Sequence, residues 1–122
     1  GPELAAAQAY GAQLIPAHEL PAGSDRALSA LPEGDDIVIC LDVDALDPSI
    51  MPAVIAPTAG GLSYQNVLTL MKGAAERGRI LGFVMAEFKA DADINRAGAV
   101  CAAQIVTSAI GIITRQVVAA RA

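Results

Sequence analysis

Residues 37–48 read IVICLDVDALDP, an apolar run that ends in three aspartates. Asp42 and Asp44 are two positions apart. On a strand that spacing sends both carboxylates from one face, roughly 6–7 Å apart at the backbone. Two such groups repel and raise each other's pKa. A divalent cation offsets that repulsion, and carboxylate oxygens suit Mg, Mn and Ca. The acids follow the apolar run, so they fall at the carboxyl end of the strand, where open α/β sheets place their ligand sites. The plainer reading is that both acids face solvent at a loop. Asp47 precedes Pro48, a turn-favouring pair, and reads mainly as structural. A calcium-binding helix–loop–helix fits poorly, because Leu46 occupies the third acidic position and the mid-loop glycine is missing.

Glu87 repeats the arrangement. The segment ILGFVMAEF is apolar until this residue. Alone, a glutamate at a strand end is an ordinary surface residue. A second strand that aims a carboxylate at the edge carrying Asp42 and Asp44 gives it a functional reading. The single histidine, His18, follows AQLIPA outside any metal-binding pattern and reads as a surface residue. Cys40 and Cys101 lie in apolar segments and read as reduced small hydrophobes.

Several elements must position these acids. Residues 3–10 suit a short helix stopped by Gly11. AQLIPA, residues 12–17, is a short strand candidate ended by Pro16. Residues 19–36 read as loop, with one helical turn around Asp25 to Leu31 and punctuation at Pro32 and Gly34. Residues 37–42 have the continuous apolar pattern of a strand buried on both faces of a parallel sheet. Residues 45–61 hold Pro48, Pro52, Pro57 and the pair Gly60-Gly61, a long irregular segment of the kind that is often functional. Ser63 then caps a helix to Arg77, with Tyr64, Val67, Leu68, Met71, Ala74 and Ala75 on its apolar face and Gly78 at its end. Ile80 to Glu87 is a second buried strand. A polar loop and a long helix over residues 97–118 follow. The order strand, loop, helix, strand, loop, helix predicts an α/β fold: parallel strands joined and flanked by crossover helices.

Bulk composition narrows the function classes. The chain has 122 residues, enough for one domain and one core. It is 54% hydrophobic but only 3% aromatic, so Ala, Val, Ile and Leu must build that core. A formal charge of −5 argues against nucleic acid and against anionic membranes as partners. The longest apolar stretch, residues 97–113, contains Gln104, Thr107 and Ser108 and reads as a buried helix of a soluble protein rather than a membrane span. No signal peptide is visible, so a cytoplasmic location is expected.

The stretch LDVDALDPSIMPAVIAPTAGGLSYQNVL resembles the second metal-binding signature of the ureohydrolases, the arginase and agmatinase family. Its pattern is an apolar strand, then D-x-D-x-L-D-P, a proline-containing loop, and G-G-L-S opening a helix. GFVMAEF, with the polar loop and Ala-rich helix after it, is similar to that family's segment carrying a substrate-side glutamate. The resemblance covers residues 3–118. It implies a partial three-layer arginase-like fold over residues 1–122 and a centre of two manganese ions. Asp42 would bridge both ions, Asp44 would bind one of them, and Glu87 would hold the guanidinium of the substrate. Water activated by the two ions would attack the guanidinium carbon, releasing urea and an amine. The family's other ligand segments, a G-G-D-H block and a D-A-H-x-D block, do not occur here. The chain therefore reads as the C-terminal portion of such an enzyme, inactive alone, with a homo-oligomer expected for the whole. The loop PAVIAPTAGG and Phe88 depart from commoner family patterns and leave arginine itself unassured as substrate.

Two other readings compete. Haloacid-dehalogenase-like phosphatases also place D-x-D after an apolar strand, with Mg between the acids. Leu46 replaces the usual Thr or Val there, and Lys89, Asp91 and Asp93 echo the later motifs only faintly. The second rival is a fragment whose role is association through exposed apolar faces.

Overall fold

The computed structural model describes the backbone of residues 1–122 and the side chains of all but residues 21–23. Six regular elements follow one another: α1 (Pro2–Tyr10), α2 (Leu20–Ser29), β1 (Asp36–Asp42), α3 (Tyr64–Arg77), β2 (Arg79–Ala86) and α4 (Ala97–Arg121). β1 and β2 pair in parallel, with α3 as the crossover between them. The expected α/β architecture is present.

The local chemistry of α3 explains where the crossover begins and ends. The Ser63 hydroxyl accepts from the Asn66 amide at 3.1 Å, and the Asn66 side chain accepts from the Ser63 amide at 3.0 Å. This reciprocal cap satisfies two amides that a helix start otherwise leaves open. Val67, Met71 and Ala74 form the buried stripe. Gly78 ends the helix where the chain passes close to β1: a Cβ there would lie 2.3 Å from the Asp35 carbonyl oxygen.

The pairing register runs from Asp36 opposite Arg79 to Asp42 opposite Ala86, and Leu81 is left over between Ile37 and Val38 as a bulge. Arg79 clamps the entry of both strands with two bonds to the Asp36 carboxylate, 2.8 and 2.9 Å. One sheet face carries Ile37, Ile39, Leu41, Ile80, Phe83 and Met85 into the core. The other face is open, with Val38 61%, Leu81 55% and Val84 49% exposed. The expectation of a strand buried on both faces is therefore corrected. Among the described residues, no element packs over that second face, so the alternation of burial along β1 is that of a half-covered sheet.

α4 lays one stripe, Gly98, Cys101, Ile105, Ala109 and Ile112, against the core at three- and four-residue spacing. Its length and apolar composition would suffice to cross a membrane, yet its inner stripe is occupied by core packing. Val100, Ile110 and Val118 on its outer side are exposed, so the helix is buried along one stripe only. Gln116 pins its far end: its side-chain oxygen accepts from the Ile80 amide at 2.9 Å, and its nitrogen donates to the Ala75 and Gly78 carbonyls at 2.8 Å each.

Three further expectations change. Residues 12–17 form no strand; they run without regular pairing into a 3-10 turn at Ala17–Glu19. An isolated extended segment gains nothing without a partner edge. Residues 20–29 form a full helix, not one turn. Its stability is tertiary, since Leu28 packs so close to Gly73 of α3 that a Cβ there would lie 2.2 Å from it. Cys40 lies on the open sheet face and is exposed, whereas Cys101 is buried; both are free thiols.

The long segment after β1 is irregular, as expected, but it is also core. Leu46, Met51 and Ala53 are wholly buried and Val54 nearly so. Burying side chains the size of Leu46 and Met51 contributes about 1.5–3 kcal/mol each. A single parallel bridge, Leu46 to Leu62, closes the segment on itself.

Candidate functional site

β1 stops at Asp42, and the chain then enters a 3-10 turn at Val43–Ala45. Val43 is wholly buried and acts as the pivot. Asp42 is exposed on the open sheet face that Val38 and Cys40 share, while Asp44 is half-buried within the turn. The expectation that both carboxylates leave one face of a continuous strand is corrected: the strand ends between them. They also face different depressions. Asp42 borders a groove of about 540 Å³ between β1, α2 and α3. Asp44 borders one of about 380 Å³ with Ile15, Ala17, Leu20, Thr58 and Gly60.

Glu87 lies just outside β2 rather than within it, and it is exposed. Its φ of 64° is left-handed, a conformation that costs a residue bearing Cβ about 1–2 kcal/mol. Because Ala86 is the register partner of Asp42, Glu87 begins one residue beyond that carboxylate at the same end of the sheet. The structure thus brings Asp42 and Glu87 to neighbouring strand ends. His18 is exposed, as expected.

Asp47 is the staple of the following loop. One of its oxygens accepts from the Ser49 amide at 3.0 Å and the other from the Gly60 amide at 2.9 Å. Hydrogen bonds from Ser49, then from Gly60, hold its carboxyl below the usual aspartate range. Gly61 completes the closure, since a Cβ there would lie 2.5 Å from the Leu46 carbonyl carbon and 2.6 Å from the Asp47 nitrogen. The structural reading of Asp47 agrees with this geometry.

Beyond Glu87, Lys89 pairs with Asp91 at 2.8 Å. Asp93 accepts from three backbone amides: that of its neighbour Ile94 at 2.8 Å and, in the first turn of α4, those of Gly98 at 2.8 Å and Ala99 at 2.9 Å. Burial pushes the Asp93 carboxyl up, and the three amides outweigh it and hold it low. Lys89, Asp91 and Asp93, on which the phosphatase reading drew, are engaged with each other and with the start of the helix. The sequence did carry a sign of the Asp93 role, an aspartate shortly before a long apolar helix.

Carboxylate oxygens match manganese in chemistry. In number they fall short: among the described residues, no group of three His, Cys, Asp or Glu side chains is placed to hold a metal ion. Asp42 and Asp44 therefore do not by themselves make a centre for two ions.

The Arginase family model matches residues 2–111 of the chain. An N(1)-aminopropylagmatine ureohydrolase from Thermus thermophilus is 37% identical over 112 residues, 89% of this chain and 37% of that protein. A formimidoylglutamase from Chromobacterium violaceum is 35% identical over 74 residues, 61% of this chain and 24% of that protein. Among solved structures, the arginase from Bacillus caldovelox superposes with a TM-score of 0.76 at 27% identity, over 89% of this chain and 38% of that one. Proclavaminate amidino hydrolase from Streptomyces clavuligerus gives a TM-score of 0.82 at 21% identity, over 92% of this chain and 38% of that one, a likeness of fold. The chain thus spans well under half the length of the relatives it matches, yet nearly all of it is matched, and it belongs to the Arginase family.

Proposed function

We propose that this segment is the C-terminal portion of a manganese-dependent ureohydrolase that cleaves a guanidino compound to urea and an amine. The observation that carries the reading is the register of the sheet, in which Asp42 opposes Ala86 and Glu87 follows at the same edge. Family membership supports hydrolysis of a guanidino compound. Agmatine, arginine or a guanidino acid would each present the same planar cation.

Asp42 and Asp44 would hold manganese together with donors from outside this segment. When bound, manganese supplies the Lewis acidity that makes water a nucleophile at neutral pH. Glu87 would accept hydrogen bonds from the guanidinium, a charge-assisted and potentially bidentate contact that orients the carbon to be attacked. Its left-handed backbone is consistent with a side chain held for a task, because such strain persists where surrounding structure enforces it. Alone, these 122 residues would bind manganese weakly and release no urea. The complete enzyme would be a cytoplasmic homo-oligomer.

The test is manganese content and urea release of the complete enzyme, with Asp42→Asn and Glu87→Gln variants. Asp42→Asn is expected to lose manganese and activity together. Glu87→Gln is expected to keep manganese but lose roughly 10- to 150-fold in kcat/KM, the worth of a hydrogen bond to a charged group. Full metal occupancy and full activity in Asp42→Asn would sink the site assignment.

A further inference from the structure

The strain at Glu87 raises the question of what enforces it. Two anchors follow this residue. The Lys89 amide donates to the Ala53 carbonyl at 2.8 Å, docking the exit of β2 onto the loop that descends from Asp44. Asp93 then gathers the amides of Ile94, Gly98 and Ala99, so one carboxylate binds the end of this segment to the first turn of α4. Between Asp93 and Gly98, Asn95 and Arg96 are left-handed at φ 51° and 62°. Two consecutive residues of that kind are unfavourable unless something outside holds the turn.

The first turn of α4 meets the same loop. A Cβ on Gly98 would lie 2.7 Å from the Ala53 Cβ, 3.0 Å from an Asp93 oxygen and 3.2 Å from the Met51 sulfur. Ala53 and Met51 are wholly buried. The path therefore closes: Glu87 to Lys89, Lys89 to Ala53, Ala53 to Gly98, Gly98 to Asp93, and Asp93 back along six residues to Glu87. A plain helix cap satisfies one or two amides. Asp93 caps two amides of α4, Gly98 and Ala99, takes its own neighbour Ile94 as a third donor, and does so where Gly98 meets the Ala53 loop.

We propose that Asp93 is a positioning residue for Glu87: by seating the start of α4 against Ala53, it fixes the turn on which the Glu87 carboxylate is aimed. This rests on the reading of Glu87 as the guanidinium acceptor. Asp93 touches neither substrate nor metal in this scheme, so its loss acts on substrate capture and leaves metal binding intact.

The test uses the complete manganese-loaded enzyme. Asp93→Asn, which removes the charge and one acceptor, is expected to raise KM for the guanidino substrate about tenfold, in the range typical when a supporting partner of a site residue is lost. Manganese content and a cooperative melt are expected to persist. An unchanged KM, or manganese lost in step with activity, overturns the proposal. Should Asp93→Asn fail to fold, Gly98→Ala reads the same junction from the other side. It is expected to raise KM, and the added substitution Ala53→Gly, which clears the 2.7 Å approach, is expected to restore it. An unchanged KM in Gly98→Ala, or no restoration in the double variant, overturns the proposal equally. Glu87→Gln runs beside these variants. Full activity there fails the function reading itself, whereas loss there with an unchanged KM in Asp93→Asn fails the positioning role alone.

Discussion

The Asp47 carboxylate reaches across thirteen residues to the Gly60 amide at 2.9 Å, and so closes the loop between the candidate metal ligands and α3. Ser49 occupies its other oxygen. Asp47→Ala opens both bonds at once. The expected outcome is a lower Tm and faster amide exchange at Ser49 and Gly60, with exchange in the middle of α4 changed only as far as the global stability changes. Unaltered exchange at Gly60 would show that the loop closes without Asp47.

Gly61 is the companion of that staple. The Leu62 amide donates to the Ala45 carbonyl at 2.8 Å and the Asp47 amide to the Leu62 carbonyl at 3.0 Å, so two stretches of backbone touch where Gly61 passes. Backbone atoms cannot swing aside as a side-chain tip can. Gly61→Ala is expected to cost about 1–3 kcal/mol, the usual range for forced overpacking. Chemical denaturation measures it, and a cost below 0.5 kcal/mol, within the ordinary range of surface substitutions, would contradict the close approach.

The sequence made some of these features readable and hid others, for physical reasons. The helix from Ser63 was legible because a capping serine, a repeating apolar stripe and a terminal glycine are all local. The acids at the ends of β1 and β2 were legible because an apolar run that breaks into charge marks a strand leaving a core. The split between Asp42 and Asp44 was not, because it depends on Val43 turning into a core built from distant residues. Helix α2 was read as a single turn for the same reason: Leu28 packs on Gly73, forty-five positions away. Asp93 was noticed for a chemistry it does not serve here, and its three amide partners emerge only once α4 is placed.

Stability should fall in acid, and the sign follows from the carboxyls. Asp47 is held low by Ser49 and Gly60; Asp93 is raised by burial but held low overall by its three amides. A depressed folded value means the stabilisation is present above the unfolded value, about 3.9 for aspartate, and is lost as pH falls through it toward the folded value. Tm is expected to be flat from pH 7 to 5 and to drop below about pH 4. Asp47→Asn is expected to flatten that drop, and an identical slope in the variant would remove Asp47 from the explanation.

The open sheet face gives the last prediction. Val38 and Val84 stand in neighbouring register positions on it, opposite Gly82 and Cys40, with Leu81 bulging alongside. Contiguous exposed apolar surface on a sheet favours association, and an uncovered sheet adds unpaired edges to it. The isolated 122-residue chain is therefore expected to sediment above its monomer mass of 12.4 kDa and to bind a hydrophobic dye. Val38→Lys with Val84→Lys places two charges on that face and should shift the chain toward monomer while leaving its α/β circular dichroism intact. A clean monomer without dye binding in the unmodified chain would mean that the face is covered in solution, and it would remove the association rival as well.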